Sequence, residues 1–220
     1  MSLKELVFED HTCNEEDSIT VLVPEVLDPS YGMYLWPCAP VLAQFIWFHR
    51  NHVKGKTILE LGAGSSLPGI VAAKVGGHVT LSDGLHLANC LQNCQESVSL
   101  NHMSCSINII GITWGSFNRE MCELEPIYII LGSDCFYNTK DFEDLFVTIS
   151  FFFERNPKAE FWTTYQVRSS QRSLEHLLEK WGMTCFHIPL ESFKANVDDI
   201  AGSGLPGCHT VQMLVIKLKS

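Results

Sequence analysis

The chain reads as an α/β protein: a doubly wound, Rossmann-like sheet of seven strands, mostly parallel with an antiparallel closing strand, behind a short N-terminal β arm. Three observations predict this. From residue 56 onward, short apolar runs of strand length alternate with stretches of helical length. Glycines or aspartates stand where several of those strands end, the place where open α/β sheets carry ligands. The last two strand-like runs follow one another with no helix between them, which suits an antiparallel hairpin closing a parallel sheet.

The arm comes first. Leu6–Phe8 and Ile19–Val23 are β-like runs separated by the polar segment Glu9–Ser18, so residues 1–30 are expected to form a hairpin packed on the main domain, residues 31–220. The segment Tyr31-Gly-Met-Tyr-Leu-Trp-Pro37 leads to Pro40, which opens an apolar helix reaching about His52. Thr57–Leu61 is the first sheet strand. Ser65 or Ser66 is expected to cap the next helix, with Pro68 in its first turn and Gly76-Gly77 ending it after Val75. His78–Ser82 is a strand ending at Asp83, and Leu85–Asn101 a helix. Strands follow at Cys105–Ile110 and Ile127–Gly132, then a helix at Phe142–Phe153 and a strand at Glu160–Gln166. Ser170–Trp181 is a helix stopped by Gly182; Met183–Pro189 and Val211–Lys217 are the closing strands. Residues 191–209 join them by a connection too long and polar for a tight turn.

Composition narrows the function. A chain of 220 residues that is 46% hydrophobic and 18% charged can bury a core without disulfides or metal. Fifteen basic residues against 25 acidic ones give a net charge of −10, which argues against nucleic acid as the main partner and favours basic peptides. Nine cysteines form no C-x-x-C pair and no zinc spacing, so they read as reduced, mostly buried thiols. His49 and His52 could share a helix face, but no ligand partner accompanies them, and they read as surface residues. There is no signal-peptide pattern and no run of 18 apolar residues, so the expectation is a soluble intracellular protein with no membrane partner.

Chemistry is expected at four strand ends. The turn Glu60-Leu-Gly62-Ala-Gly64 lacks the third glycine of a dinucleotide site, because Leu67 stands there; no Lys-Ser/Thr pair makes it a P-loop. Glu60 beside the glycines favours a ligand with positive charge and no phosphate, and S-adenosyl-L-methionine fits. A strand-turn-helix corner that merely needs glycine is the alternative. Asp83, 19 residues after Gly64, stands where an acid accepts a ribose hydroxyl, or else caps a helix. Trp114 is placed to pack on an adenine ring, and Trp36 to reach the cofactor edge; either could instead close the core. Asp134-Cys-Phe-Tyr137 could hold a protonated amine or guanidinium with a carboxylate and wall it with an aromatic ring, or supply an N-cap and two core aromatics.

Together these residues resemble the family-16 branch of the seven-β-strand methyltransferases. The resemblance rests on Ile58-Leu-Glu60-Leu-Gly62-Ala-Gly64-Ser-Ser-Leu-Pro68-Gly69-Ile70, on Leu35-Trp36-Pro37, Asp83 and Trp114-Gly115, and on Leu131-Gly-Ser-Asp134-Cys-Phe-Tyr137; it spans about residues 30–220. It implies S-adenosylmethionine-dependent methylation of a nitrogen on a protein side chain. The expected target is arginine on a histone tail, with lysine on a chaperone or translation protein as the alternative, and a catalytically weak cofactor-binding subunit as a third. By the resemblance, Trp36, Glu60, Gly62, Gly64, Asp83, Trp114 and Ser133 hold the cofactor, and Asp134 and Tyr137 form the acceptor side. A location in cytoplasm and nucleus is implied; a monomer with no direct nucleic-acid binding is expected. Relatives carry an acid just before the tryptophan, where this chain has Thr113. Glu191, Asp198 and Asp199 would recruit a basic substrate if the late connection folds over the active mouth.

Overall fold

A computed structural model describes residues 2–10, 17–26, 32–167, 173–204 and 210–219. β1 (Ser2–Asp10) and β2 (Asp17–Glu25) pair antiparallel in one continuous register, from Ser2 opposite Glu25 to Asp10 opposite Asp17. Their alternation sends Leu6, Phe8, Val21 and Val23 into the protein and leaves Glu5 and Glu9 outward, the pattern of a sheet wetted on one face. Asn101 ties this hairpin to the main body. Its Nδ2 donates to Leu22 O (2.7 Å), and its Oδ1 accepts the Leu22 N–H (3.0 Å).

The main sheet contains β3 (Thr57–Leu61), β4 (His78–Asp83), β5 (Ile107–Gly111), β6 (Ile129–Ser133), β7 (Glu160–Gln166), β8 (Met183–Ile188) and β9 (Val211–Leu218). Their spatial order is β5-β4-β3-β6-β7-β9-β8, parallel except at β9, which runs antiparallel to both its neighbours. The closing hairpin therefore inserts its second strand beside β7. Strand order reverses between β3 and β6, which opens a crevice above their carboxyl ends.

Helices α1 (Cys38–Phe48), α3 (Leu67–Lys74) and α4 (Ala88–Leu100) cover one face together with the hairpin. On the other face α6 (Phe142–Arg155) places Leu145, Phe146, Ile149, Phe152 and Phe153 in a second core with Phe136 and Phe161. α3 is buried from Leu67 to Ala73, which the apolar sequence ahead of its final Lys74 requires.

Element boundaries shift where local chemistry intervenes. The first helix begins at Cys38 and breaks at His49 (φ −97°, ψ 22°), leaving α2 (Arg50–Val53) as a separate turn. There His52 stacks on Trp162 at 5.8 Å and His49 packs against Phe45 at 4.4 Å, so both rings serve packing. Ser66 does occupy the N-cap of α3, but in a left-handed conformation, and its hydroxyl makes no cap bond. α4 starts at Ala88 because residues 84–87 form a turn closed by Leu87 N–H to Gly84 O. The short α5 (Arg119–Glu123), capped by Asn118, has no periodic signal in sequence. Of the expected helix 170–181, α7 spans Glu175–Lys180, and residues 170–172 lie outside the described residues.

Candidate active site

A cavity of about 560 Å³ lies above the carboxyl ends of β3, β4, β5 and β6. Its floor is the turn after β3, where Gly62 and Gly64 take left-handed backbone angles (φ +62° and +49°). A Cβ at Gly64 would stand 2.3 Å from Gly32 O, and one at Gly62 would stand 3.2 Å from the Trp114 ring. A side chain at Gly64 would collide with the backbone of the segment before α1, and one at Gly62 would crowd the loop after β5.

Asp83 fixes the turn from β4. Its Oδ2 accepts the Gly64 N–H (3.0 Å) and its Oδ1 accepts the Gly84 N–H (2.8 Å). It caps no helix, since Leu87 flanks α4. Burial pushes its carboxyl above the ordinary range against the pull of those two donors, and it still lines the cavity.

Glu60 stands behind this wall and does not line the cavity. It is fully buried; Oε2 accepts the Gly69 N–H at 2.9 Å, and Oε1 makes no hydrogen bond. Desolvation pushes its pKa up to about 8, opposed by the Gly69 N–H and reinforced by the charge of Asp83.

The acceptor motif follows β6. Ser133 and Asp134 line the cavity, and Asp134 holds φ +56° while its N–H donates to Thr164 O at 2.9 Å. A non-glycine residue in that region at a strand end is backbone strain of the kind found where a side chain must be aimed. Phe136 turns into the core; Tyr137 stays half exposed along the cavity wall. Burial raises the Tyr137 hydroxyl's pKa, and the neighbouring Asp141 charge adds to it. Trp36 forms the opposite rim with Tyr34, the rings meeting edge to face at 5.2 Å.

Eight of the nine residues expected at the site line one cavity; Glu60 is the ninth. Sequence reading missed Tyr34, His86, Cys90, Asp141 and Asp144, which also line it. Tyr34 sits two residues before Trp36 and shared its signal. The two aspartates look like ordinary acids at a helix start. Glu191, Asp198 and Asp199 do not line this mouth; Asp199 lines a separate groove with Glu5, Val7 and Glu9, where residues 200–202 pack against β1. Among the described residues, no group of three or more histidines, cysteines and acids could hold a metal, and no helix is long and apolar enough to cross a membrane.

Four aspartates line the cavity, and among the described residues no lysine or arginine does. With the glycine cradle, that lining fits an elongated cationic ligand without phosphate. Fold and site together define a Rossmann-like methyltransferase. A family model described as lysine methyltransferase matches residues 15–180, and the chain belongs to that family, with S-adenosylmethionine as its cofactor. It is 55% identical over 184 residues to the human histone-arginine methyltransferase METTL23, covering 84% of this chain and 96% of that protein. The Xenopus laevis protein of that name is 52% identical, with 93% and 87% covered. Zebrafish (Danio rerio) protein N-lysine methyltransferase METTL21A is 33% identical over 52% of each chain. Among solved structures, the glycopeptide N-methyltransferase MtfA complexed with S-adenosylmethionine superposes with a TM-score of 0.60 at 10% identity, covering 88% of this chain and all of that one. The precorrin-6y C5,15-methyltransferase from Geobacter metallireducens gives 0.54 at 10% identity, covering 80% and 86%.

Proposed function

We propose that this protein methylates a guanidinium nitrogen of arginine in a histone tail, acting as a monomer in nucleus and cytoplasm. The observation that carries the arginine reading is identity above 50%, over most of both chains, to proteins named for that activity. The carboxylate-lined cavity and the net charge of −10 support a basic acceptor.

In this reading the turn at Gly62 and Gly64 admits the cofactor's backbone-hugging portion, with Ser133, Trp36 and Trp114 as walls. Asp83 keeps lone pairs beyond its two backbone bonds, and these accept ribose hydroxyls. Glu60 supports the turn from behind. When bound, S-adenosylmethionine supplies a methyl carbon made electrophilic by its sulfonium. Asp134 accepts hydrogen bonds from the guanidinium, holds its nitrogen in line, and takes up the proton that nitrogen releases. Tyr137 and the Tyr34–Trp36 pair flank the planar cation with aromatic surface. Residues 31–220 serve as the catalytic domain, with the 1–30 arm bracing it.

The second reading, lysine methylation of a chaperone or translation protein, is favoured by the family description and the METTL21A likeness. Incubation with labelled S-adenosylmethionine and purified histones, followed by mass mapping, separates the two. Methylarginine on histone is the expected product; label on lysine alone overturns the arginine assignment.

A further inference from the structure

The loop after β5 bends back across the strand ends to meet the first turn of α6. Gly115 N–H donates to Thr148 Oγ1 (2.9 Å), and that hydroxyl donates in turn to Asp144 O (2.9 Å). Gly115 has φ +76°, and a Cβ there would stand 2.6 Å from Asp144 Oδ1. The missing side chain at 115 is what allows the Asp144 carboxylate to lie on the loop that carries Trp114. From there it lines the cavity, and among the described residues its oxygens have no hydrogen-bond or ion-pair partner.

The order of strands along the cavity decides which part of the cofactor comes near. Reading across the sheet from β6 through β3 and β4 to β5, the cavity meets Asp134, the Gly62–Gly64 turn, Asp83, and then Ile112 to Trp114. With the ribose at Asp83 and the transferable methyl toward Asp134, the purine runs toward Thr113 and Trp114. Adenine presents one hydrogen-bond donor once its ring is joined to ribose, the 6-amino group. Acceptors are scarce at that end: Thr113 Oγ1 already accepts the Leu85 N–H (3.4 Å), and Asp83, which accepts the Gly64 and Gly84 N–H groups, has its remaining lone pairs at the ribose in the proposed function. The carboxylate with open acceptor capacity that lies against this loop is Asp144, from α6.

We infer that Asp144 reads the adenine of the cofactor by accepting a hydrogen bond from its 6-amino group. It supplies from helix α6 the carboxylate that position 113 lacks. This depends on the cofactor and not on which side chain is methylated, so it stands whether the acceptor is arginine or lysine.

Titration calorimetry with S-adenosylhomocysteine and with its 6-deamino analogue tests the inference without turnover. A hydrogen bond to a charged group is worth about 1.5–3 kcal/mol, so the unaltered protein binds the amino form roughly 10-fold to 100-fold more tightly than the deamino form. Asp144→Ala brings that ratio close to one by weakening the amino form alone. Asp144→Asn, which keeps a neutral acceptor, gives an intermediate ratio. His86→Ala, which removes another cavity-lining side chain able to accept, leaves the ratio unchanged. An Asp144→Ala protein that weakens both ligands equally, or keeps full discrimination, overturns the assignment, as does discrimination lost in His86→Ala. Circular dichroism on each variant shows that it is folded.

Discussion

Glu60 Oε2 accepts the Gly69 N–H at 2.9 Å, in space that exists because residue 69 has no side chain. A Cβ at 69 would stand 2.4 Å from that oxygen and 2.3 Å from Leu81 Cδ2. The buried acid and the glycine form one device that pins the start of α3 to β3. Gly69→Ala is expected to cost about 1–3 kcal/mol of stability through overpacking, read as a lower denaturant midpoint with unchanged slope. An unchanged midpoint would show that the turn relaxes freely around the added methyl.

The same acid makes stability depend on pH. Its pKa rises from 4.5 to about 8 on folding, so the native state holds a proton that the unfolded state releases. Glu60's contribution is therefore full below about pH 4.5 and is lost as pH climbs through about 8, by up to about 1.4 kcal/mol per pH unit. Glu60→Gln mimics the protonated form. The melting temperature of the unaltered protein should fall relative to Glu60→Gln between pH 5 and pH 8; parallel curves would mean that Glu60 is charged in the fold.

Gly64 is the point where two chain segments touch. Because a Cβ there would meet Gly32 O at 2.3 Å, Gly64→Val should displace the turn from Asp83. Affinity for S-adenosylmethionine is expected to fall by about tenfold or more, the value of one charge-assisted hydrogen bond. Calorimetric binding indistinguishable from the unaltered protein would remove the turn from the cofactor site.

Asp134→Asn keeps the side-chain type that tolerates the left-handed backbone while removing the charge. On the proposed role, kcat drops by about 10²-fold to 10⁴-fold while the cofactor Kd stays within about threefold. Parallel losses in both would reassign Asp134 to cofactor binding.

The hairpin's clamp can be tested away from the site. Asn101→Ala strips partners from both the Leu22 N–H and its carbonyl, and is expected to destabilise the fold by about 1–3 kcal/mol. A melting temperature shifted by less than about 1 °C would show that water replaces the amide.

Much of this was legible because it is local. Alternating strands and helices, the glycine turn after Thr57–Leu61 and the acids that end β4 and β6 follow from periodicity and from backbone conformations only certain residues adopt. Asp83 illustrates the limit: sequence left it between ribose acceptor and helix cap, and the two backbone donors on its oxygens with Leu87 at the head of α4 removed the cap. Glu60 sits beside the glycines in the chain, yet faces α3 behind them, because strand alternation turns it away from the cavity.

The amino-acid order by itself determined a doubly wound sheet with a glycine cradle and acids at its strand ends, since those signals lie within a few residues of one another. Which carboxylates share the cavity was settled only in three dimensions. Asp144 reaches the Trp114 loop from 30 positions away, whereas Asp199 leaves the mouth for β1. No spacing rule contains either result, because both depend on how separate elements pack, and packing is set by the sum of many weak contacts across the whole core.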